Sequence, residues 1–402
     1  MKVAVIGGGL AGLNAAKILS EYCKVDVYEK NDVGGLASSF CKDYCIEKFY
    51  HHFFREDTYL IELLKELGLK SKIVWKVIRI GQAFKGRIYP LNTPTEILRF
   101  PALSFFDKIR LALFTLKAKR MNFRDYDEID VITGLKSSVG EEITRRFFVP
   151  LLKAKFGENY PNVSYAWLLA RVSIRSNRKL TGEELGYLRG GLHQFIKKLS
   201  ENLEIKKEKA KIKYNGKWNV NGKDYDALIY TAPIPELGEL RKKLGIRDIK
   251  YQSSICLLLG FDERFTDIYW INYEDEPFGA TIEHTNFMPF EDYGEHLMYV
   301  AAYTTPEKVY EKSDESIFKE WVNSLKKYGF KGKINWYKVF RSKYAGPVYE
   351  KGYRKLITPY RIRRGFYLAG MTSEANYPER SMNGSLMSGK TAADKLIEDF
   401  LS

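Results

Sequence analysis

The sequence predicts an α/β fold of more than one domain: a Rossmann-like dinucleotide-binding domain, a mixed-sheet domain and a helical insertion. Three observations predict it. At 402 residues the chain is long for a single hydrophobic core. It opens on KVAVIGGGLAGLNAAKILSEY, a short apolar strand, a glycine turn and a helix. Further along, residues 251–262, 267–283, 296–304 and 334–341 alternate as strands do, which supplies a second sheet.

In the opening segment Gly7, Gly9 and Gly12 hold the GxGxxG positions. The first allows a tight turn, the second lets a pyrophosphate approach the backbone, and the third lets the helix pack on the sheet. Leu10 and Ala11 begin that helix, whose unpaired N–H groups and positive dipole end suit phosphate. The second strand, KVDVYEK, ends in Glu29, at the spacing of a carboxylate that grips a ribose diol, with Lys30 beside it. A second glycine pair, Gly34 and Gly35, follows with Leu36 and Ala37 in KNDVGGLASSF, and a simple nicotinamide dehydrogenase has no need of it. Other glycine clusters, RGGL and NGSLMSG, lack the strand–turn–helix context, so a single dinucleotide is expected.

The arrangement VYEK…GGLASSF resembles the FAD-binding amino terminus of the flavin amine oxidase superfamily. That grouping includes protoporphyrinogen oxidases, carotenoid desaturases and, more distantly, UDP-galactopyranose mutases. YLRGGLHQFIKKL (187–199) is similar to the segment that enters the FAD domain from the substrate domain. DYDALIYTAPIPEL (224–237) is similar to the strand that faces the adenosine side, with Ala232 in its small-residue turn. GFYLAGMTSEANYPERSMNGSLMSGKTAADKLI (365–397) is similar to the closing strand, loop and helix. There, by resemblance, Gly370 approaches the pyrophosphate, and the turn of Ser381, Met382, Asn383 and Gly384 opens a helix that points at the flavin.

The resemblance implies a glutathione-reductase-type FAD domain made of 1–75, 185–240 and 352–402. It implies a substrate domain of 76–100 with 241–351, and a helical insertion over 101–184. FAD is expected to be noncovalent, because no cysteine lies near the closing segment; a link through His51 or His52 is the alternative. Two departures stand out. Met371 follows Gly370 where the family often has an acid, and Glu374 comes later. The lysine that amine oxidases place near flavin N5 has no matching position.

IEKFYHHFF (46–54) follows the glycine pair at the distance where the superfamily returns toward the flavin's reactive edge. In an extended segment, adjacent side chains point to opposite faces, so only one histidine can face the ring. His52 aligns with the histidine of the mutase-like pattern and is the expected catalytic residue; His51 is expected beside the cofactor. A neutral imidazole there donates a hydrogen bond or relays a proton.

In the second sheet, Tyr344 and Tyr349 of SKYAGPVY, and His284 and Asn286 of TIEHTNF, are expected to line a substrate pocket. DTYLIELLKELGL (57–69) and GEEITRRFFVPLLKAKFG (140–157) read as helices, and 76–94 as a hairpin. FPALSFFDKIRLALFTLKAKRMNFR (100–124) has six basic residues and one acid, with Leu103, Phe106, Ile109, Leu113 and Leu116 at helical spacing. It reads either as a helix resting on an anionic membrane surface or as one packed on its own domain.

A net charge of +15 arises from interspersed charges, and no nucleic-acid-binding module is recognisable, so no nucleic-acid partner is expected. The cysteines, Cys23, Cys41, Cys45 and Cys256, form no CxxC pair and suggest a reducing compartment. Cys41 and Cys45 with His51 and His52 are a zinc set by residue type, but the neighbourhood reads as a strand with another purpose, and no metal is expected. Met1 leads straight into the first strand, and no long apolar run occurs. A cytoplasmic location, extending to the inner face of a membrane, is therefore expected. The expected activity is hydride transfer between an apolar, isoprenoid-like substrate and flavin N5, with an unidentified electron donor or acceptor. FKGRIYPL keeps a non-redox sugar-nucleotide mutase as an alternative, although the mutase carboxy-terminal tyrosine–acid signature is missing from YPERSMNG. A non-catalytic flavin-binding membrane partner is the third reading.

Overall fold

A computed structural model describes residues 1–175 and 182–401 and divides the chain into two compact units. One comprises Met1–Val74, Tyr187–Ile249 and Arg354–Ser402; the other comprises Trp75–Gly186 and Lys250–Tyr353. The helices between residues 105 and 175 group with the mixed sheet in this division.

The first unit is built on a six-stranded sheet in the order Arg361–Arg363, Phe366–Leu368, Ala227–Tyr230, Lys2–Ile6, Lys24–Tyr28 and Glu204–Lys206. All neighbours are parallel except the first pair. Continuous apolar runs such as VAVI suit strands covered on both faces. On one face Val3, Val5, Val27 and Ile229 pack against Leu19 of the first helix, Leu10–Ser20, and Leu396 of the last, Met382–Phe400. On the other, Ile6, Tyr28 and Tyr230 pack with Trp218 and Tyr225 of a small antiparallel sheet. Ile6 is level with both Tyr28 and Tyr230. The carboxyl ends of three strands therefore deliver Gly7, Glu29 and Thr231 to one edge.

One expectation is corrected here. Cys41 and Cys45 are opposite residues of the hairpin Ser39–Cys41/Cys45–Glu47 and are joined as a disulfide. A spacing of four across a tight turn sets the two thiols face to face, so they are neither unlinked nor free to hold zinc. Cys23 and Cys256 keep their thiols. Among the described residues no group of three or more His, Cys, Asp or Glu is arranged to hold a metal.

The second unit contains a seven-stranded sheet whose long strands are Tyr251–Phe261, His296–Thr304 and Ile334–Pro347, all antiparallel. On one face Leu257, Leu259, Met298 and Val300 bury against Trp321 and Leu325 of the helix Asp314–Lys326. Residues 267–283 form two strands, Trp270–Asn272 and Ala280–Glu283, because EDEPFG turns the chain between them. The helix expected over 140–157 is interrupted by a π turn at Thr144–Phe148 before Val149–Phe156. Pro150 lacks an N–H and its ring crowds the carbonyl four residues back, which a widened turn relieves. Thr58–Glu66 is helical, with Leu60, Leu63 and Leu64 buried.

The stretch read as a pocket wall is a closed polar knot within this unit. Asn286 accepts from Arg264 Nε at 2.7 Å and donates to the carbonyls of Thr266 and Ile268. His284 Nε2 lies 2.8 Å from the Tyr293 hydroxyl, and burial lowers its pKa to about 3. Both residues are more than nine-tenths buried. Asn286 thereby fastens the 264–268 segment to the sheet, while His284 is held against Tyr293. Glu283 completes the knot, accepting from the N–H groups of Phe265 and Thr266. Burial dominates over those bonds and raises its pKa from 4.5 to about 7.

The folded state thus holds the Glu283 proton at pH values where the unfolded chain releases it. Its contribution is full below pH 4.5 and is lost as pH rises to about 7. Denaturant midpoints measured between those pH values should fall for the wild type more steeply than for Glu283→Gln. Parallel curves would locate the proton elsewhere.

Candidate FAD-binding site

The site is built from backbone. Gly7 has φ +110°, and its N–H donates to the Tyr28 carbonyl at 2.8 Å. A Cβ on Gly12 would stand 1.9 Å from the Gly7 carbonyl oxygen, so only glycine lets the helix start this close to the turn. Thr231 Oγ1 donates to the carbonyls of Ile6 and Gly7, and a Cβ on Gly7 would lie 3.1 Å from the Ala232 nitrogen. Thr231, which buttresses the turn, was not singled out in the sequence because a threonine after a strand carries no periodic signal.

The two glycine motifs meet. Gly34 donates to the Gly8 carbonyl at 2.8 Å, and Gly9 and Gly34 form a parallel bridge. A Cβ on Gly35 would sit 3.3 Å from the Gly9 Cα. Gly9 itself, at φ −77°, has nothing within 4 Å of where its Cβ would stand. The open side of Gly9 is where a pyrophosphate can lie against the chain. Leu10 and Ala11 are buried at the helix start, and Leu36 and Ala37 form a short turn with Ala37 buried. Glu29 accepts from the N–H groups of Gly8 and Asn31 at 2.7 and 2.8 Å, which fixes its carboxylate beside the turn. Lys30 is paired with Glu236.

The closing segment reaches the same edge through glycine and small hydroxyls. Gly370, at φ +103°, donates to Ser388 Oγ, and its carbonyl accepts from Ser373 Oγ and Asn376 Nδ2. A Cβ on Gly389 would lie 2.1 Å from the Ala11 carbonyl oxygen, so the last helix lies directly on the first. Ser381 caps the last helix by accepting from the Gly384 N–H. Met382 is buried, whereas Met371 is partly exposed and Glu374 exposed. Asn383 Oδ1 accepts from the Leu60 N–H in the first turn of the Thr58–Glu66 helix, so its carbonyl is committed to that helix.

A further support, Glu47, escaped the sequence reading. Glu47, buried, accepts from the Tyr187 hydroxyl at 2.6 Å and the Leu192 N–H at 2.5 Å, and burial raises its pKa. It thereby ties the IEKFYHHFF segment to the turn that opens the helix His193–Ser200, whose Ile196 packs on Gly34. Beyond it, His51 Nδ1 lies 2.7 Å from the Phe49 carbonyl, which accepts its proton, and burial with the Arg380 charge lowers its pKa to about 4. His52 packs edge-on against Phe54. In the second unit, Tyr344 meets Tyr251 and Tyr349 meets Tyr353 edge-on.

Comparison with known proteins agrees with this geometry. Residues 10–397 match the family described as flavin containing amine oxidoreductase. The chain is 24% identical to the 15-cis-phytoene desaturase of Glycine max, over 99% of this chain and 80% of that protein. It is 29% identical over 175 residues to that of Synechococcus elongatus, a match spanning 38% of this chain and 37% of that protein. A structure of a provisionally assigned protoporphyrinogen oxidase from Exiguobacterium sp. 255-15 superposes with TM-score 0.79 at 18% identity, covering 98% of each chain. Reduced UDP-galactopyranose mutase superposes with TM-score 0.76 at 18% identity, covering 100% of this chain and 96% of that one.

Gly9→Leu should leave the fold intact, since its φ suits any residue and the protein leaves the space open, but should abolish FAD retention. Flavin absorbance after gel filtration, read beside circular dichroism, checks both parts; a yellow variant refutes the cradle. Glycine turns that meet at one strand edge, and a family match over residues 10–397, lead to one conclusion: the chain belongs to the flavin-containing amine oxidoreductase family and is an FAD-dependent oxidoreductase.

Proposed function

We propose that the chain transfers hydride between an apolar, isoprenoid-like substrate and noncovalently held FAD. The observation that carries this reading is the alignment, over nearly the whole chain, with a protein named for desaturating phytoene. FAD, when bound, supplies the redox chemistry at N5. The chain's own part is to hold the cofactor through Gly7, Gly9, Gly12, Gly34, Gly35 and Gly370, and to place a neutral imidazole near its reactive edge. His51 is turned to its own backbone, leaving His52 as the residue for that role. Tyr344 and Tyr349 are the aromatic contacts we assign to the substrate.

An exposed apolar face supports a route from a lipid phase. The helix Phe105–Ala118 starts at Ser104, which forms a capping box with Asp107. It buries only Phe114 and Ala118, while Phe106, Leu113 and Leu116 are 79%, 61% and 61% exposed. Lys108 and Lys117 lie within this helix, and Lys119 and Arg120 follow it. An amphipathic helix of this kind suits the surface of an anionic membrane on the cytoplasmic side. Among the described residues no helix is long and apolar enough to cross a bilayer.

A mutase-like reading is favoured by the structural likeness to UDP-galactopyranose mutase alone. Turnover of a UDP-sugar by the reduced protein, with no net electron consumption, would replace the redox reading with that one. A flavin that no substrate or acceptor turns over would leave a non-catalytic binder.

His52→Ala should retain FAD yet change the rate of flavin reduction by about tenfold or more, since positioned proton transfer contributes roughly 10²–10⁴-fold. His51→Ala should change it less. Stopped-flow reduction of both variants decides; equal rates in wild type and His52→Ala remove the assignment. Sedimentation with phosphatidylserine vesicles should be strong at low salt and weaken as the Debye length shrinks below about 10 Å. It should weaken further in Phe106→Ser/Leu113→Ser. Equal recovery in the supernatant with and without vesicles would exclude the membrane surface.

A further inference from the structure

The hairpin Ser39–Cys41/Cys45–Glu47 leaves the second glycine turn directly and returns into the histidine segment. Ser38, just before its first strand, donates its N–H to the Gly35 carbonyl at 3.1 Å. Lys48, just after its second strand, grips the turn from both sides. Its N–H donates to the Ser38 carbonyl at 2.9 Å, and its ammonium pairs with Asp32. Between those two residues Gly34 donates to the Gly8 carbonyl at 2.8 Å and bridges to Gly9. The second strand of the hairpin therefore leads into a brace on the turn that meets Gly9.

The hairpin pairs Ser39 with Glu47, Phe40 with Ile46 and Cys41 with Cys45. In so short a ladder a one-residue slip turns every side chain to the opposite face, so register has to be pinned. Buried Ile46 and Glu47 anchor the base, and the Cys41–Cys45 disulfide locks the tip. A sequence separation of four makes a small loop, and closing a small loop restrains the unfolded chain little. A bond serving bulk stability would gain more by bridging distant segments; this one holds register beside the cofactor turn. It is also open to attack. Cys41 is exposed and Cys45 half-buried, whereas the unlinked Cys256 is wholly buried. Exposed disulfides are the ones that thiols reach and exchange with.

We propose that Cys41–Cys45 is a thiol–disulfide exchange site for an external dithiol, and that its state sets how tightly FAD is held. A donor thiolate attacks the sulfur of Cys41, the sulfur–sulfur bond breaks, and Cys45 leaves as a thiolate that takes a proton. The donor's second thiol then displaces Cys41. The protein gains two electrons and two protons, and the donor becomes a disulfide. With the tip released the hairpin loosens, and Lys48 relaxes its grip on Asp32 and Ser38. The site acts on the cofactor and is independent of the substrate. In the test, free thiols of the FAD-loaded protein are blocked with N-ethylmaleimide, dithiothreitol is added as the dithiol, and new thiols take an isotopically heavy label. Heavy label should appear at Cys41 and Cys45 with circular dichroism unchanged. Equilibrium dialysis of an unlabelled portion should show the Kd for FAD raised about tenfold, within the usual range of coupling between two sites of one protein. Reoxidation should restore it. Cys41→Ser/Cys45→Ser should hold FAD as weakly as the reduced wild type and ignore dithiothreitol, which separates the effect from reduction of the flavin itself. Cys45→Ser, which also lacks the bond, serves where the double variant does not fold. Cysteines that stay unlabelled in the folded protein would overturn the proposal, as would equal FAD retention in oxidised, reduced and variant protein. Loss of the circular dichroism signal on reduction would make the bond a structural staple and overturn it too.

Discussion

The first unit depends on backbone approaching backbone without side chains between. Gly12 lets the first helix start against the Gly7 carbonyl, Gly389 lets the last helix lie on Ala11, and Gly35 lets a separate turn touch Gly9. At the first two, a Cβ would come within about 2 Å of a carbonyl oxygen, a clash that no rotamer change relieves, because the obstacle is main chain. Helix propensity favours alanine over an internal glycine by about 1 kcal/mol. Overpacking costs roughly 1–3 kcal/mol or more, so packing wins over propensity at Gly12 and Gly389. The backbone edge that the glycine turns expose follows from these contacts.

Around that constraint, polar groups act as fasteners and not as chemistry. Thr231 holds the Gly7 turn, Asn376 and Ser388 hold Gly370, Asn383 caps a neighbouring helix, and Glu47 ties the histidine segment to the helix that backs Gly34. The second unit uses the same device in Glu283, His284 and Asn286. There the bonds run from protein to protein within the buried interior of the unit. A polar cluster in a sequence can therefore mean either a site or a rivet, and only the count of satisfied bonds tells them apart.

That distinction marks how far the sequence could be read. The glycine turn, Glu29 and the closing segment were legible because each needs a particular residue type at a particular spacing. The strands around 251–261 and 296–304 were legible from alternation alone. The Cys41–Cys45 bond was not, since spacing in a hairpin depends on register, and register appears only once the turn is known. The bonds of Asn286 were not legible for a related reason: its partners lie up to 22 residues away in a loop with no periodicity. Thr231 and Glu47 went unnoticed because their partners are contributed by segments distant in sequence.

The order of strands in the first sheet has a consequence for how the protein is made. Lys2–Ile6 lies at its centre, yet one neighbour comes from Ala227–Tyr230 and the strand beyond it from Phe366–Leu368. The helix that seals the first helix ends at Phe400. During synthesis the glycine turn emerges well before Thr231, which holds it from 225 residues beyond Ile6. Pairings this distant in sequence form slowly, because a long loop must close before any contact rewards it. Lys2–Ile6 can pair early with Lys24–Tyr28, but its other edge stays open until Ala227–Tyr230 has been made.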